Sequence, residues 1–505
     1  MTNAPTTLIS TNAAGALDPF YRPEIDGLRA IAVLPVILFH AGFSWFSGGY
    51  VGVDVFFVIS GYLIAGIVLR ELAAGTFSLA GFYERRARRI LPALFFVMLV
   101  CLVPAWLWMM PRPLKEFGQS LVAVALFGSN FLFWDKSRYF DLAAEEKPLL
   151  HTWSLGVEEQ FYVVLPLILL LGWRLGRRRL AWLFAVIAIT SLALAQFTSG
   201  HRPMTNFYLP HTRAWELLLG VLLAFAALPA TLHQRVGETV AQLLPTVGLG
   251  AILWSVFTFD KSTPVPGVWA LVPAGGTALV IAFSTRDTWV ARVLSLRWLT
   301  GLGLISYSAY LWHQPLFAFA RIRVLERPAP ALYGLLCVAA LLLAYLTWRY
   351  IETPFRDRTC IARIPLVNLS VTAATFFILA GLAGHAGDGF PERLEGTTLK
   401  LMETTIPSSK RAACHANSIN QIDPAKACIY FHQNATWAIL GDSHTVEPAY
   451  ALAEILSPHK QGLLHLSFSA CPPALSTDVS QPGCTAWLDE AATRRMLIGS
   501  SGTTM

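Results

Sequence analysis

Charge is what this sequence has least of. Asp, Glu, Lys and Arg supply only 14% of its 505 residues, against 55% hydrophobic residues. Soluble domains carry roughly a quarter charged residues, so an ordinary soluble globule is excluded. A second scarcity lies at the start, where residues 1–20 hold no Lys or Arg and no apolar core. That segment does not read as a cleavable signal peptide and is expected to be a disordered cytoplasmic N-terminus. Closely spaced cysteines are also missing from the seven present, which argues against a zinc site, and no metal is expected. The net charge of +7 is gathered in short loops between apolar runs. Such a distribution reports membrane orientation rather than nucleic-acid binding.

What the chain does have is apolar runs long enough to cross a ~30 Å hydrocarbon core. They fall at 28–46, 51–70, 90–109, 155–172, 180–197, 213–228, 240–257, 268–284, 303–320, 331–351 and 365–384. A further apolar stretch, 118–134, decides the topology. If it does not cross, the loops Glu84–Arg89, Arg174–Arg179, His233–Glu238, Arg286–Arg297 and Arg356–Arg363 share one side with the N-terminus. RRARR, RLGRRR and RDRTCIAR then lie together, as the positive-inside rule expects. The stretch 118–134 is therefore read as re-entrant or lying along the surface. The expected fold class is an all-α polytopic membrane bundle of about eleven transmembrane helices. Its N-terminus is expected in the cytoplasm of a bacterium, and everything after residue 384 in the periplasm.

Cysteine placement agrees with that orientation. Cys414, Cys428, Cys471 and Cys484 fall in the last hundred or so residues, in a more polar segment. Four cysteines in an exported domain suggest two disulfides, with three pairings open. Cys101, Cys337 and Cys360 sit in or beside spans and read as inert.

Two ionisable residues in the first span carry chemistry. Arg29 and His40 are eleven positions apart, a rotation of three helical turns plus about 20°. They share one face, about 16 Å apart along the axis, and must face protein or water because lipid would cost several kcal/mol. Gly48, Gly49 and Gly52 then allow a tight turn into the second span, where Asp54 lies at a depth close to His40. A His40–Asp54 pair is expected, with His40 as general base. Arg86 and Arg89, three apart in the RRARR cluster, share a helical face and suit an anion's oxygens. In HTWSLGVEEQFY, adjacent Glu158 and Glu159 point about 100° apart, so one is expected to face the bundle. Glu158 follows Ser154 by one turn and His151 by two, a polar face suited to a sugar hydroxyl or an acyl group. Tyr307, Ser308, Tyr310 and His313 read as helix packing.

EIDGLRAIAVLPVILFH, GGYVGVDVFFVISGYLI, FYERRARRILPA, HTWSLGVEEQFY and ISYSAYLWHQP, in this order, resemble the membrane acyltransferase-3 family over roughly residues 21–356. The resemblance implies that Arg29 and His40 are the family's essential Arg-x10-His pair. It implies that Arg86 and Arg89 handle acyl-CoA. The implied reaction moves an acyl group, usually acetyl, from cytoplasmic acyl-CoA to an extracytoplasmic glycan such as lipopolysaccharide O-antigen or exopolysaccharide. Acetyl-CoA is then a donor substrate and no bound cofactor is needed. Catalysis is expected from His40, Arg29, Asp54 and Glu158. The alternatives are a transporter or acyl-group channel serving an outer partner, and an esterase.

TWAILGDSHTV resembles the first block of the SGNH hydrolase fold, with Gly441, Asp442 and Ser443 in its turn and Ser443 as nucleophile. That family carries a Gly-x-Asn block and a distal Asp-x-x-His pair, and neither follows Ser443 here. Residues 494–505 also change character. A small α/β SGNH-like domain, incomplete and without a working triad, is therefore expected. The organisation read from the sequence is a tail at 1–20, an acyltransferase domain at 21–356, a linking segment with the last span at 357–384, and the SGNH-like domain at 385–505.

Overall fold

The computed structural model describes residues 21–136, 144–226, 237–285, 287–324, 329–396, 408, 410–416, 422–432, 435–469, 471 and 483–500. The expected tail 1–20, much of the loop His233–Glu238, and the end of the 494–505 segment lie outside the described residues. Two compact units are present, Met1–Pro391 and Glu392–Met505.

The first unit is helical among its described residues. Each apolar run read from the sequence coincides with a helix: α1 (Pro23–His40), α2 (Gly52–Ala73), α3 (Leu79–Trp108), α6 (Thr152–Gly172), α7 (Arg177–Ser199), α8 (Pro210–Ala226), α9 (Glu238–Thr258), α10 (Leu271–Phe283), α11 (Ser306–Arg323), α12 (Pro330–Thr347) and α13 (Arg363–Ala386). Seven helices among the described residues are long and apolar enough to cross a membrane. The remaining four are shorter or more charged. Helix α1 carries Glu24, Asp26 and Arg29, α8 has 17 residues, α10 has 13, and α11 ends with Arg321 and Arg323.

The ambiguous stretch 118–134 is not one helix. Helix α4 (Pro111–Ala125) breaks before α5 (Ser129–Asp135), with Phe127 at φ 53° between them. Neither piece has the roughly 20 residues a crossing needs.

Two features of this unit position the site. Helix α3 begins on the Ser78 side chain, which accepts from the Gly81 N–H at 3.3 Å. Its 30 residues exceed what a bilayer needs, so its first turns carry Glu84–Arg89 ahead of the apolar stretch. Helices α2 and α8 meet at glycines. A Cβ on Gly61 would come within 1.9 Å of the Leu217 carbonyl oxygen, and one on Gly220 within 2.1 Å of that of Val58. Only glycine permits that approach, as in close-packed membrane helices.

The second unit holds a three-stranded mixed sheet in the order β1 (Ile429–Tyr430), β3 (Gly462–Ser467), β2 (Ala435–Gly441). Strand β3 runs antiparallel to β1 and parallel to β2, and all six of its residues are buried. Helix α14 (Val446–Leu456) links β2 to β3, and α15 (Cys484–Ser500) follows. The cysteine pairing left open by the sequence is Cys414–Cys428 and Cys471–Cys484, with separations of 14 and 13 residues. Loops of that length contribute about 3 kcal/mol each by limiting the unfolded chain. A sheet this small needs such support.

Candidate active site

A cavity of about 1010 Å³ runs through the helical unit. At one end, where α1, α3 and α7 begin and α2 ends, it is lined by Arg22, Arg29, Arg70, Arg86, Arg89 and Arg177. Toward the opposite helix ends its wall is Val53, Ser154 and Tyr310.

The RRARR cluster divides by face, and the helix period explains how. Arg85 pairs with Glu71 at 2.7 Å. Arg88 is buried and tied to Glu84 at 3.0 Å and to the carbonyls of Phe355 and Ile361. Arg86 and Arg89 face the cavity and make no hydrogen bond or ion pair among the described residues. Arg86 stacks over the Tyr162 ring at 5.2 Å, which steadies it without neutralising it. Both also line an adjoining cavity of about 360 Å³ with Arg356 and Arg358. Two unpaired guanidiniums above such a space have the geometry and charge that suit an anion.

Glu158 lies deeper on the same wall. The Ser60 hydroxyl donates to its Oε1 at 3.0 Å and the Tyr162 hydroxyl to its Oε2 at 3.2 Å. The expectation that only one of the two glutamates faces the bundle is corrected. Glu158 lines the cavity, and Glu159 is buried as well, with Oε1 unpartnered among the described residues and Arg86 the cation that acts on it most. Arg29 lines the cavity and pairs with Asp26 at 3.3 Å.

His40 ends α1 and does not line the cavity. Its Nδ1–H donates to the Val36 carbonyl at 2.9 Å. A carbonyl only accepts, so the neutral ring presents a bare Nε2. The ring lies 5.1 Å from that of His313, which lies 5.4 Å from that of His151. Tyr310 is the shared wall. It lines the cavity, and its ring sits 5.3 Å from both His151 and His313. Its hydroxyl donates to the His151 carbonyl at 2.9 Å and lies 2.7 Å from Ser154 Oγ.

The expected His40–Asp54 pair is not formed. Asp54 binds Arg213 at 2.6 Å, and Arg213 also holds Glu216 at 3.1 Å. Trp153 and Phe207 cover the guanidinium at 5.3 and 5.1 Å. The reason is azimuth. The glycine contact draws α2 against α8, so Asp54 turns to that helix. A buried carboxylate also gains more from a guanidinium than from a neutral imidazole.

Sequence reasoning missed Arg213 and read Tyr310 and His313 as packing, while it placed His151 on the polar face with Ser154 and Glu158. The patch read as packing is mixed. The Tyr307 hydroxyl does pack, donating to the Ile90 carbonyl at 2.9 Å, and Ser308 bonds Glu352. Tyr310 and His313 instead join His40. The available signal was a histidine inside an apolar helix, which costs free energy unless it has work to do.

In the second unit β2 ends at Gly441, and Asp442 accepts from the His444 backbone N–H at 2.9 Å. That bond holds the Asp442 carboxyl below the usual carboxylate range. A Cβ on Gly441 would meet the Thr445 side-chain methyl at 2.2 Å, so any larger residue there must displace Thr445. Ser443 is buried, and among the described residues no side chain bonds its hydroxyl. His444 bonds Asp442 at 3.1 Å, while His415 bonds Ser467 and Ser469 at 2.8 Å each.

A family model described as an acyltransferase domain matches residues 22–349, and one described as an SGNH domain fused to AT3 domains matches residues 413–500. The chain is similar to the O-acetyltransferase OatA of Staphylococcus aureus (strain NCTC 8325 / PS 47). The two are 33% identical over 353 residues, 67% of this chain and 58% of that protein. It is also 33% identical to a putative O-acetyltransferase, SAS0844, of Staphylococcus aureus (strain MSSA476), over 66% of this chain and 57% of the relative. The chain thus spans less than two thirds of the length of these relatives. No solved structure matches.

Proposed function

The chain belongs to the membrane acyltransferase family whose model covers residues 22–349, and from that membership we propose that it is an O-acyltransferase acting on a cell-surface glycan. The donor in this reading is acetyl-CoA, entering from the cytoplasm. The acceptor is a hydroxyl of an extracytoplasmic polysaccharide, such as lipopolysaccharide O-antigen or exopolysaccharide. The protein then sits in a bacterial inner membrane, with its N-terminus cytoplasmic and its second unit periplasmic. A positive-inside bias in RRARR, RLGRRR and RDRTCIAR supports that orientation.

One observation carries the reading: a cavity has unpaired Arg86 and Arg89 at one end and, at the other, a wall at Tyr310 backed by His313, on which the His40 ring packs. The phosphates of CoA rest on the arginines. The pantetheine arm fills the cavity past Glu158 and brings the thioester to Tyr310. For the acyl group to meet His40, Tyr310 must swing aside and give up its hydrogen bonds to Ser154 and the His151 carbonyl. His40 Nε2 then takes the proton of the acceptor hydroxyl. The oxygen attacks the acyl carbon, the carbon–sulfur bond breaks, and the CoA thiolate recovers the proton.

The test is transfer of label from radioactive acetyl-CoA to polysaccharide acceptors by the purified full chain in nanodiscs. Surface O-acetyl content, read by NMR in a deletion strain, is the parallel assay. His40→Ala is expected to lower transfer by about 10³-fold or more, the scale of a lost general base. Full O-acetylation with His40→Ala would overturn the reading.

A further inference from the structure

We infer that His313 is a positioning residue for this transfer: it shares the proton that His40 removes from the acceptor hydroxyl. The inference rests on the reading of the cavity and imidazole site given above, and it supplies what the absent His40–Asp54 pair leaves undone.

A base that takes a proton in a buried site becomes a cation, and something must bear that charge. Asp54 is bound to Arg213 and is unavailable to His40. The charged groups that act on His40 include Arg321, Glu145 and Lys261. Arg321 donates to the His40 carbonyl at 2.6 Å, and Glu145 is held by Lys261 at 3.3 Å. None of them receives a proton from the ring.

The neighbouring imidazole is built to receive it. His313 is fully buried, and its Nδ1–H donates to the Tyr310 carbonyl at 2.6 Å. That bond fixes the tautomer and leaves Nε2 bare. Among the described residues His313 Nε2 has no hydrogen-bond partner. Buried polar atoms left without partners are rare and call for a reason. Two neutral rings with centroids 5.1 Å apart, each with its Nδ1–H tied to a backbone carbonyl, each keep a lone pair on Nε2.

In the proposed step the acceptor O–H bond breaks and an N–H bond forms at His40 Nε2. That N–H then donates to His313 Nε2, directly or through one water. A charge-assisted hydrogen bond of this kind is about twice as strong as a neutral one. When the CoA thiolate leaves, the proton returns to it, and the pair is neutral again. His151 and Tyr310 face the same space from α6 and α11 and shape it, while His313 shares the proton.

The experiment compares wild type with His313→Gln, which keeps an amide in place of the ring but cannot hold a proton. Reconstituted full-length protein is assayed for kcat, for KM toward acetyl-CoA, and for kcat against pH. We expect kcat to fall about 10²-fold, the low end for acid–base assistance, with KM changed by less than about threefold. The acid limb of the profile is expected to move to lower pH. The glutamine amide can accept a hydrogen bond but is far less basic than an imidazole and cannot share the proton, so protonated His40 gives up its proton more readily. A His313→Gln protein with unchanged kcat and an unchanged profile overturns the inference. Wild type that transfers no acetyl group overturns the function itself, a different result. Should the variant not be recovered folded, ¹⁵N-histidine NMR of wild type decides. Coupled two-step titration of His40 and His313 supports the pair, and independent single steps overturn it.

Discussion

The two units handle polar chemistry in opposite ways. In the helical unit, charged and titratable groups lie deep and are sorted into two kinds. Some are tied into ion pairs away from the cavity, as Arg213 is with Asp54 and Glu216. Others are left open toward one space, as Arg86 and Arg89 are toward the cavity and His313 is toward His40. In the second unit, the GDSH turn has a nucleophile's shape, but the nearby histidines bond elsewhere. His444 turns to Asp442, and His415 bridges Ser467 and Ser469. Charges that neutralise one another away from a cavity mark architecture, and unneutralised ones lining a cavity mark a site for something not yet bound. The shape of a turn without its acid–base partners marks neither.

The sharpest way to break that distinction is at its architectural extreme. Arg213, Asp54 and Glu216 have side-chain exposures of only 2%, 2% and 0%. Arg213→Met removes the one cation and leaves two carboxylates buried together. Breaking such a pair costs about 3–5 kcal/mol. The expected result is loss of folded protein, read as a lowered detergent-solubilised melting temperature and poor membrane recovery. The double change Arg213→Met with Asp54→Asn is expected to recover part of that loss, because it removes one stranded charge. If Arg213→Met is as stable as wild type but inactive, the network belongs to the site and the sorting above is wrong.

The open arginines should respond differently. Arg86→Ala and Arg89→Ala are each expected to raise KM for acetyl-CoA by about 10- to 100-fold, the scale of a lost charged hydrogen bond of roughly 1.5–3 kcal/mol. Thermal stability should change little. Arg85→Ala, which removes only a half-exposed partner of Glu71, is expected to alter KM by less than about threefold. Equal effects at Arg85 and Arg89 would mean that the whole cluster acts as a diffuse field and that the cavity-facing pair is not special.

How much of this was readable beforehand follows the range of each interaction. Helix placement came from local runs, and every predicted run coincides with a helix. Arg86 and Arg89 share the cavity wall because i,i+3 spacing fixes a face within one helix. Arg29 and Glu158 meet there too, although their partners did not follow from spacing. Asp54 failed because depth in a hairpin fixes height and leaves the helix's rotation undetermined. Its true partner is 159 residues away, and the contact that turns α2 toward it depends on Gly61 and Gly220, residues that look unremarkable in a sequence. His313 was set aside for the same reason: nothing near it in the chain announces His40.

The smallest expected effect comes from the second unit. Its turn packs Gly441 on Thr445 and orients Asp442, yet no described side chain reaches the Ser443 hydroxyl. A serine without a base is a poor nucleophile at neutral pH. Ser443→Ala is therefore expected to change acetyl transfer and ester hydrolysis by less than about twofold, with unchanged stability, since a single neutral hydroxyl contributes little. A fall beyond about tenfold in either activity would show that a base does reach Ser443 in the working protein. The two units would then be successive stations of one reaction, His40 handing an acyl group onward to Ser443, and the contrast drawn between them would dissolve.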